Sequence, residues 1–73
     1  MSKDSYITMK GSVIDVLPGS RYRVEIEENK HIVMAYLSGK MRQNRIRVVM
    51  GDIVDVEVSI DDIDRGRISY RHK

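Results

Sequence analysis

Four cationic side chains fall within eight residues, between two segments that have the pattern of β-strands: Lys40, Arg42, Arg45 and Arg47. The stretch from 40 to 47 contains no acid that would pair with them. Unpaired charges are too costly to bury, so these side chains must face solvent or a polyanion. Arginine suits phosphate in particular, because its planar guanidinium donates two parallel hydrogen bonds. We therefore expect this connection to be the working surface of the chain.

A second basic block closes the chain, and an acidic segment separates the two blocks. Its members are Arg65, Arg67, Arg71 and Lys73. The last six acids all fall between Asp52 and Asp64, whereas the charges of residues 1–37 sum to zero. Two basic patches around an acidic segment predict an oriented electrostatic surface. The alternative is a solvated surface of mixed charge, since runs of charge often have no further role.

The sequence offers no constellation suited to catalysis or metal binding. Its two histidines, His31 and His72, are not part of a nucleophile motif, and we assign His31 a structural role at the surface. Asp61, Asp62 and Asp64 lack the ligand alternation and the following Glu of a calcium loop. We expect them to be solvated carboxylates that repel phosphate. The chain has no cysteine, and we predict a protein that is not an enzyme and has no cofactor or metal.

The hydrophobic pattern predicts five β-strands and one short helical insert. The strands are expected at 6–16, 21–27, 31–37, 52–59 and 67–71, and a helical turn or two at 40–44. The apolar residues of the first strand change face past Gly11, which predicts a bend or bulge that lets this strand take part in both halves of a sheet. Five short strands in so small a domain predict an all-β oligonucleotide-binding barrel (OB fold, S1-like), since a sandwich needs more strands.

Three local expectations follow from the same pattern. The third strand is apolar on both faces, so we expect it to be central or covered on both sides. The Asp-rich stretch Ser59–Gly66 is expected to be a loop that Ile60 and Ile63 pin to the barrel. In the connection Glu28–Lys30, Asn29 is the residue that tolerates a left-handed backbone.

Aromatic and apolar side chains indicate how RNA would be recognised. Tyr22 lies on the apolar side of its strand and is expected in the core. Tyr36 and Tyr70 follow the apolar parity of their strands but lie near strand ends, where a ring can be half exposed, and Tyr6 is ambiguous. So few exposed rings favour recognition of folded RNA by shape and phosphate contacts over base stacking. Met41 either anchors the basic stretch to the barrel, which we favour, or packs on an RNA base or sugar.

Length and hydropathy set the organisation of the chain. With 73 residues there is room for one domain. We expect a flexible N-terminus over residues 1–5 and a single domain over residues 6–73. No apolar run approaches the roughly 18 residues that span a bilayer, and the first residues lack the apolar region of a signal peptide. We expect a soluble cytoplasmic protein without a membrane partner.

Several short motifs, taken together and in order, resemble one family. They are Met9–Val13, Leu17–Pro18, Tyr22–Glu25, Ser38–Arg42, Ile46–Arg47, Gly51–Asp52 and Gly66–Ile68. This set closely resembles bacterial and organellar translation initiation factor 1, over nearly the whole chain. The Ser-Gly-Lys-Met-Arg run followed by Ile-Arg and Gly-Asp is its most specific part. The departures are Tyr22 where Phe is usual, Arg45 where an aromatic is common, and a hairpin connection one residue longer.

The resemblance implies a monomeric barrel that binds the small ribosomal subunit at the A site, at the decoding region of its 16S-type rRNA. Such proteins occlude that site and favour initiator tRNA together with initiation factors two and three. Carried over by motif, Lys40, Met41 and Arg42 face the decoding-site RNA and Arg47 supports them. The second basic block, with Arg65, Arg67 and Arg71, forms a second contact line.

Two other functions are compatible with the residues. A general single-stranded RNA-binding or chaperone barrel would bind unstructured RNA, and the shortage of exposed aromatics argues against it. A protein-interaction module would bring its basic faces to an acidic partner. An enzyme is the least supported interpretation, for lack of a base–nucleophile pair or a metal constellation.

Overall fold

The computed structural model describes residues 6–72, so the expected flexible N-terminus and Lys73 lie outside the described residues. The elements in chain order are β1 (Tyr6–Leu17), β2 (Arg21–Ile26), β3 (Ile32–Leu37), α1 (Gly39–Gln43), β4 (Ile53–Ser59) and β5 (Asp62–His72). The prediction of five strands with one short helical insert between the third and the fourth is confirmed.

The strands form a closed barrel in the order β1-β2-β3-β5-β4, and β4 pairs with β1 to close it. All pairs are antiparallel except β3 with β5, which are parallel. The first half of β1 pairs with β4 and its second half with β2, and a bulge lies between Val13 and Asp15. A Cβ added to Gly11 would lie 2.6 Å from the backbone oxygen of Glu25. The predicted bulge is confirmed. Gly11, where β1 pairs with both β2 and β4, must be a glycine because a Cβ there would collide with β2.

The barrel interior is filled mainly by β-branched side chains from alternate positions of the strands. The fully buried ones are Val13, Val24, Ile26, Val33, Val54, Val56 and Ile68. Tyr22 is also buried, as expected from its strand parity. Met41 and Val48 join the same cluster from α1 and the connection after it. The basic stretch is thus attached to the core at both of its ends.

Of the two expectations about the surface, the one for the third strand is confirmed in its first alternative, and the one for the Asp-rich stretch is wrong. β3 is central between β2 and β5, but its outer face is open and leaves Ile32 and Tyr36 exposed. The Asp-rich stretch is mostly strand, because β5 begins at Asp62 and pairs back to Ser59. Ile60 and Ile63 are exposed and do not pin a loop to the barrel.

The β2–β3 connection has a different left-handed residue from the expected one. Lys30 has φ of 62°, and the N–H of Lys30 donates to the carbonyl of Ile26 at 2.8 Å. The side-chain oxygen of Asn29 accepts a hydrogen bond from the N–H of His31 at 3.0 Å. Asn29 therefore stabilises the turn through its side chain, whereas Lys30 adopts the left-handed backbone conformation.

Candidate nucleic-acid interface

The basic stretch begins with a capped helix. Ser38 is the N-cap of α1, and its hydroxyl oxygen accepts a hydrogen bond from the N–H of Met41 at 3.2 Å. The N–H of Ser38 donates to the carbonyl of Ile68 at 2.9 Å. These two bonds tie the start of α1 to β5, and so fix the backbone that carries Lys40 and Arg42.

The helix ends in a Schellman motif with an arginine at its left-handed position. The N–H of Ile46 donates to the carbonyl of Met41 at 3.0 Å, and that of Arg45 donates to Arg42 at 3.2 Å. Arg45 has φ of 55°, a conformation that glycine usually supplies at this position. The turn places Arg45 at the surface and sends the chain back toward the barrel.

Met41 anchors the helix. Its side chain is 4% exposed and belongs to the barrel core, with Ile46 packed against the same cluster. This burial agrees with the anchoring role that we favoured for Met41 and gives no support to its alternative role on an RNA base or sugar. The apolar residue in the basic stretch holds the cations in place.

The chain after Arg47 is held against β1. Residues 49–52 form a type II turn in which Gly51 has φ of 93°, and the N–H of Asp52 donates to the carbonyl of Val49 at 3.1 Å. The N–H of Gly51 donates to the carbonyl of Val13 at 2.8 Å. In return, the N–H of Val13 donates to the carbonyl of Asp52 at 2.9 Å. The end of the connection from α1 to β4 is therefore bonded to β1.

The first basic block is exposed and unpaired. Lys40, Arg42, Arg45 and Arg47 all have exposed side chains. None of the ion pairs formed among residues 6–72 includes any of these four cations. Four free positive charges on a backbone that is held in place are the arrangement expected of a phosphate-binding surface.

The arginines of the second block are engaged within the protein. Arg67 donates to the carboxylate of Glu57 at 2.8 Å, and this hydrogen bond raises the pKa of its guanidinium above the usual value. Arg65 is 3.5 Å from a carboxylate oxygen of Asp62. Arg71 donates to the carbonyl of Arg47 at 2.7 Å. To bind RNA, Arg65 and Arg67 would each have to leave a carboxylate of the protein and contact a phosphate group instead.

One groove brings the first block together with Arg71 of the second block. It has a volume of about 440 Å³ and lies between α1 and the end of β5, where its walls include Lys40, Asn44, Tyr70 and Arg71. Arg65 and Arg67 instead line a separate depression beside Tyr6, over which the guanidinium of Arg67 lies at 5.8 Å. The predicted site therefore divides into the first block with Arg71 and a second surface with Arg65 and Arg67.

The expected shortage of exposed aromatic rings is wrong. Tyr6, Tyr36 and Tyr70 are all exposed, and only Tyr22 is buried. The outer face of β3 and the end of β5 are uncovered, and sequence parity does not report whether an outer face is covered. Aromatic rings for stacking are thus available beside arginines such as Arg67 and Arg71. The half exposure of Tyr36 and Tyr70 agrees with their positions near strand ends, but its value for stacking was underrated from the sequence.

Metal-binding clusters and membrane-spanning helices are both absent from the part of the chain that is described. Within residues 6–72, no group of three or more His, Asp or Glu side chains is arranged to hold a metal ion. Over the same range, no helix has the length and apolar character needed to cross a membrane.

The closed strand order, the parallel pairing of β3 with β5 and the helix after the third strand define the oligonucleotide-binding class of barrel. The sequence model of the family described as translation initiation factor 1A / IF-1 matches residues 2–73. The chain belongs to this family. Membership makes it a translation initiation factor by descent and implies association with the ribosome.

Individual relatives agree with this assignment. Translation initiation factor IF-1 of Rhodospirillum rubrum is 51% identical over 73 residues, which are 100% of this chain and 76% of the relative. The solution structure of the translation initiation factor IF-1 from the Wolbachia endosymbiont of Brugia malayi matches with a TM-score of 0.77 at 38% identity, over 100% of this chain and 90% of that one. The relatives are named as initiation factors, and neither of these names describes an enzyme.

More distant structures share the fold alone. YjeQ from Thermotoga maritima matches with a TM-score of 0.74 at 22% identity, over 92% of this chain and 23% of that one. YloQ, a circularly permuted GTPase, matches with a TM-score of 0.76 at 19% identity, over 100% of this chain and 25% of that one.

Proposed function

We propose that the chain binds the small ribosomal subunit at the A site, through the decoding region of its 16S-type rRNA. It occludes that site and promotes selection of initiator tRNA together with initiation factors two and three. It does so in the cytoplasm, as a monomer, without catalysing a reaction. Family membership supports the initiation role, and the unpaired first basic block is the observation that carries the RNA contact.

The contact is electrostatic and prearranged. Lys40, Arg42, Arg45 and Arg47 bind phosphates, and each contact releases counterions from the RNA. The cap at Ser38, the bonded turn and the buried anchor hold these cations in position before RNA arrives. Less conformational entropy is then lost on binding than for a mobile loop. Met41 contributes through this anchoring, beneath the RNA-facing surface.

The second contact line begins at the same end of the barrel, at Arg71, and runs back along β5 to Arg67 and Arg65. Arg71 shares a groove with Lys40, so it lies beside the first block. Arg65 and Arg67 join the contact when RNA phosphate replaces their internal acids. Lys73, the last predicted member, follows β5 directly in the chain. Occlusion needs only occupancy, for which the described residues form a body of 32 × 27 × 23 Å.

A second candidate function, binding of single-stranded RNA, is favoured by one observation on the outer face of the sheet. Tyr36 is exposed and lies in register with Arg21 on β2 and with Arg67 on β5. An aromatic ring between two arginines suits a stacked base with phosphates on either side. This function would use the sheet face, whereas A-site binding uses the connection between β3 and β4.

Two variants of equal charge separate these functions. In the loop variant, Lys40, Arg42, Arg45 and Arg47 are all replaced by Gln. In the matched control, the exposed cations Lys10, Arg21, Arg23 and Lys30 are replaced instead. Binding to isolated small subunits and to an unstructured RNA is then measured over a salt series.

We expect the loop variant to lose subunit binding and to flatten the dependence of log K on log salt by about three to four. The control should keep most of its affinity for the small subunit and most of the salt dependence. Equal losses in the two variants would mean that only overall charge matters. Loss of unstructured-RNA binding in the control alone, with subunit binding unaffected by either variant, would favour the single-strand function.

A further inference from the structure

We propose that the barrel end opposite α1 docks a basic amphipathic segment of a partner protein, whose apolar side chain enters a cavity there. The cavity lies at the start of β3, where Val33 forms part of its wall, whereas α1 follows the end of β3. The two sites are therefore at opposite ends of the barrel. This proposal goes beyond the RNA contact and does not depend on it.

The cavity has an apolar floor and an apolar rim. Its volume is about 270 Å³, and the buried side chains of Ile26 and Val58 line it. Around its mouth stand Ile7, Ile60 and Ile63, which are 51%, 53% and 56% exposed. Single exposed apolar side chains are ordinary, but three isoleucines around one cavity mark an interaction site.

The size of the cavity favours a protein anchor as its occupant. Pockets for small molecules usually enclose roughly 300–1,000 Å³, and this one is at the lower limit of that range. It accepts one or two apolar side chains, as at the centre of many protein interfaces. An amphipathic helix presents such side chains at regular spacing into an apolar groove.

The charges around the mouth decide the polar character of the partner. The two hairpins that border it carry the exposed acids Glu27, Glu28, Asp61, Asp62 and Asp64. The neighbouring cations are Lys10, Lys30 and Arg65, of which Arg65 is already 3.5 Å from a carboxylate oxygen of Asp62. His31 lines the cavity and is bonded to Asp64 at 2.9 Å. The chain has a net charge of +2, but this end has an excess of acids.

An acidic rim repels RNA phosphate and attracts Lys or Arg. The partner segment is thus apolar on the side that enters the cavity and basic on the sides that flank it. One molecule can then hold RNA at its basic end and a protein at its acidic end.

The test uses the full chain with labelled isoleucine methyl groups, followed by NMR. The probe is a synthetic amphipathic peptide of roughly 15 residues, with Leu on one face and Lys on the other. We expect saturable shifts of the methyl groups of Ile7, Ile60 and Ile63. Ile63→Ser and Ile60→Ser should each weaken binding about tenfold. Met50→Ser, at an exposed apolar residue outside the cavity lining, is the matched control and should bind as the original chain does.

Four results would overturn the proposal. The first is the absence of methyl shifts at these isoleucines. The second is equal binding of a peptide with Ser in place of Leu, or with Glu in place of Lys. The third is a shift of the same methyl groups with protein concentration alone, which would assign the cavity to a second copy. The fourth is a shift on removal of residues 1–5, which would assign it to the chain's own first residues.

The loop variant described above separates this proposal from the RNA contact. Its four substitutions lie in the connection between β3 and β4, so it should bind the peptide like the original chain. Loss of peptide binding in the loop variant would contradict the assignment to the opposite end. If the loop variant loses subunit binding and still binds the peptide, the cavity is a site separate from the RNA contact.

Discussion

Arg71 donates a hydrogen bond from Nη1 to the backbone carbonyl oxygen of Arg47, 2.7 Å away. The same nitrogen lies 3.9 Å from a carboxylate oxygen of Asp52, which also accepts a hydrogen bond from the N–H of Val49 at 2.9 Å. Arg71, from the second basic block, therefore holds the backbone of the connection that carries the first basic block. The two blocks, separate in sequence, meet through this joint at one end of the barrel.

Arg71→Met should loosen this joint while keeping the aliphatic stem of the side chain. We expect the free energy of unfolding to fall by about 1 kcal/mol, because a charged donor to a backbone carbonyl is lost. Urea unfolding measures this change, and amide exchange should become faster between Arg47 and Asp52. Arg23→Met, at an exposed arginine of β2, is the control and should stay within about 0.5 kcal/mol. Equal stability of both variants would show that the hydrogen bond does not support the connection.

Arg45→Gly should separate backbone strain from charge. Glycine relieves the left-handed conformation, so we expect the free energy of unfolding to rise by about 1 kcal/mol. The same variant should bind the small subunit more weakly, with a salt slope smaller by about one, because a phosphate contact is lost. Arg45→Ala removes the charge but keeps the strain, so it should weaken binding without the gain in stability. A gain of the same size in the alanine variant would contradict the assignment of strain.

Glu57→Gln should release Arg67 for RNA. The carboxylate of Glu57 holds the guanidinium of Arg67 at 2.8 Å, and an amide in its place holds it less strongly. We expect a steeper salt slope, by about one, and tighter binding to small subunits. Stability should change by about 1 kcal/mol or less, since the pair is partly exposed. If the slope and affinity stay unchanged in Glu57→Gln and also in Arg67→Gln, Arg67 is not part of the contact.

Gly11→Ala should disrupt the crossing of β1 over the barrel. The added Cβ would lie 2.6 Å from the backbone oxygen of Glu25, so the strands must move apart. We expect a loss of about 2 kcal/mol or more in the free energy of unfolding. Gly39→Ala, where a Cβ meets nothing within 4 Å, is the matched control in α1 and should be neutral or stabilising. Similar losses in both variants would mean that close approach at Gly11 is not the cause.

The number of strands and the helical insert follow from local patterns. Alternation of apolar residues fixes which side chains of β2 and β4 face inward, and Ser38-Gly39 ends β3 before a short capped helix. A basic stretch without acids must remain outside the core, and it does. These features depend on neighbours in sequence, so the sequence predicts them.

Features that depend on strand register were not predictable in this way. Arg67 meets Glu57 only because bulges set the pairing of β4 with β5. Ile63 falls on a strand because β5 begins at Asp62, which pairs back to Ser59, and a register shift follows before Gly66 pairs with Val58. Tyr36 is exposed because the outer face of β3 stays uncovered. Each outcome is decided by tertiary structure, and each changes the functional interpretation of the surface.

The most direct test of A-site binding is chemical footprinting of the decoding region on isolated small subunits, with and without an excess of unstructured RNA. The proposed function predicts protection of the A-site adenines that survives the competitor and disappears in the loop variant. Equal binding to the unstructured RNA, with no protection of the A site, would contradict it.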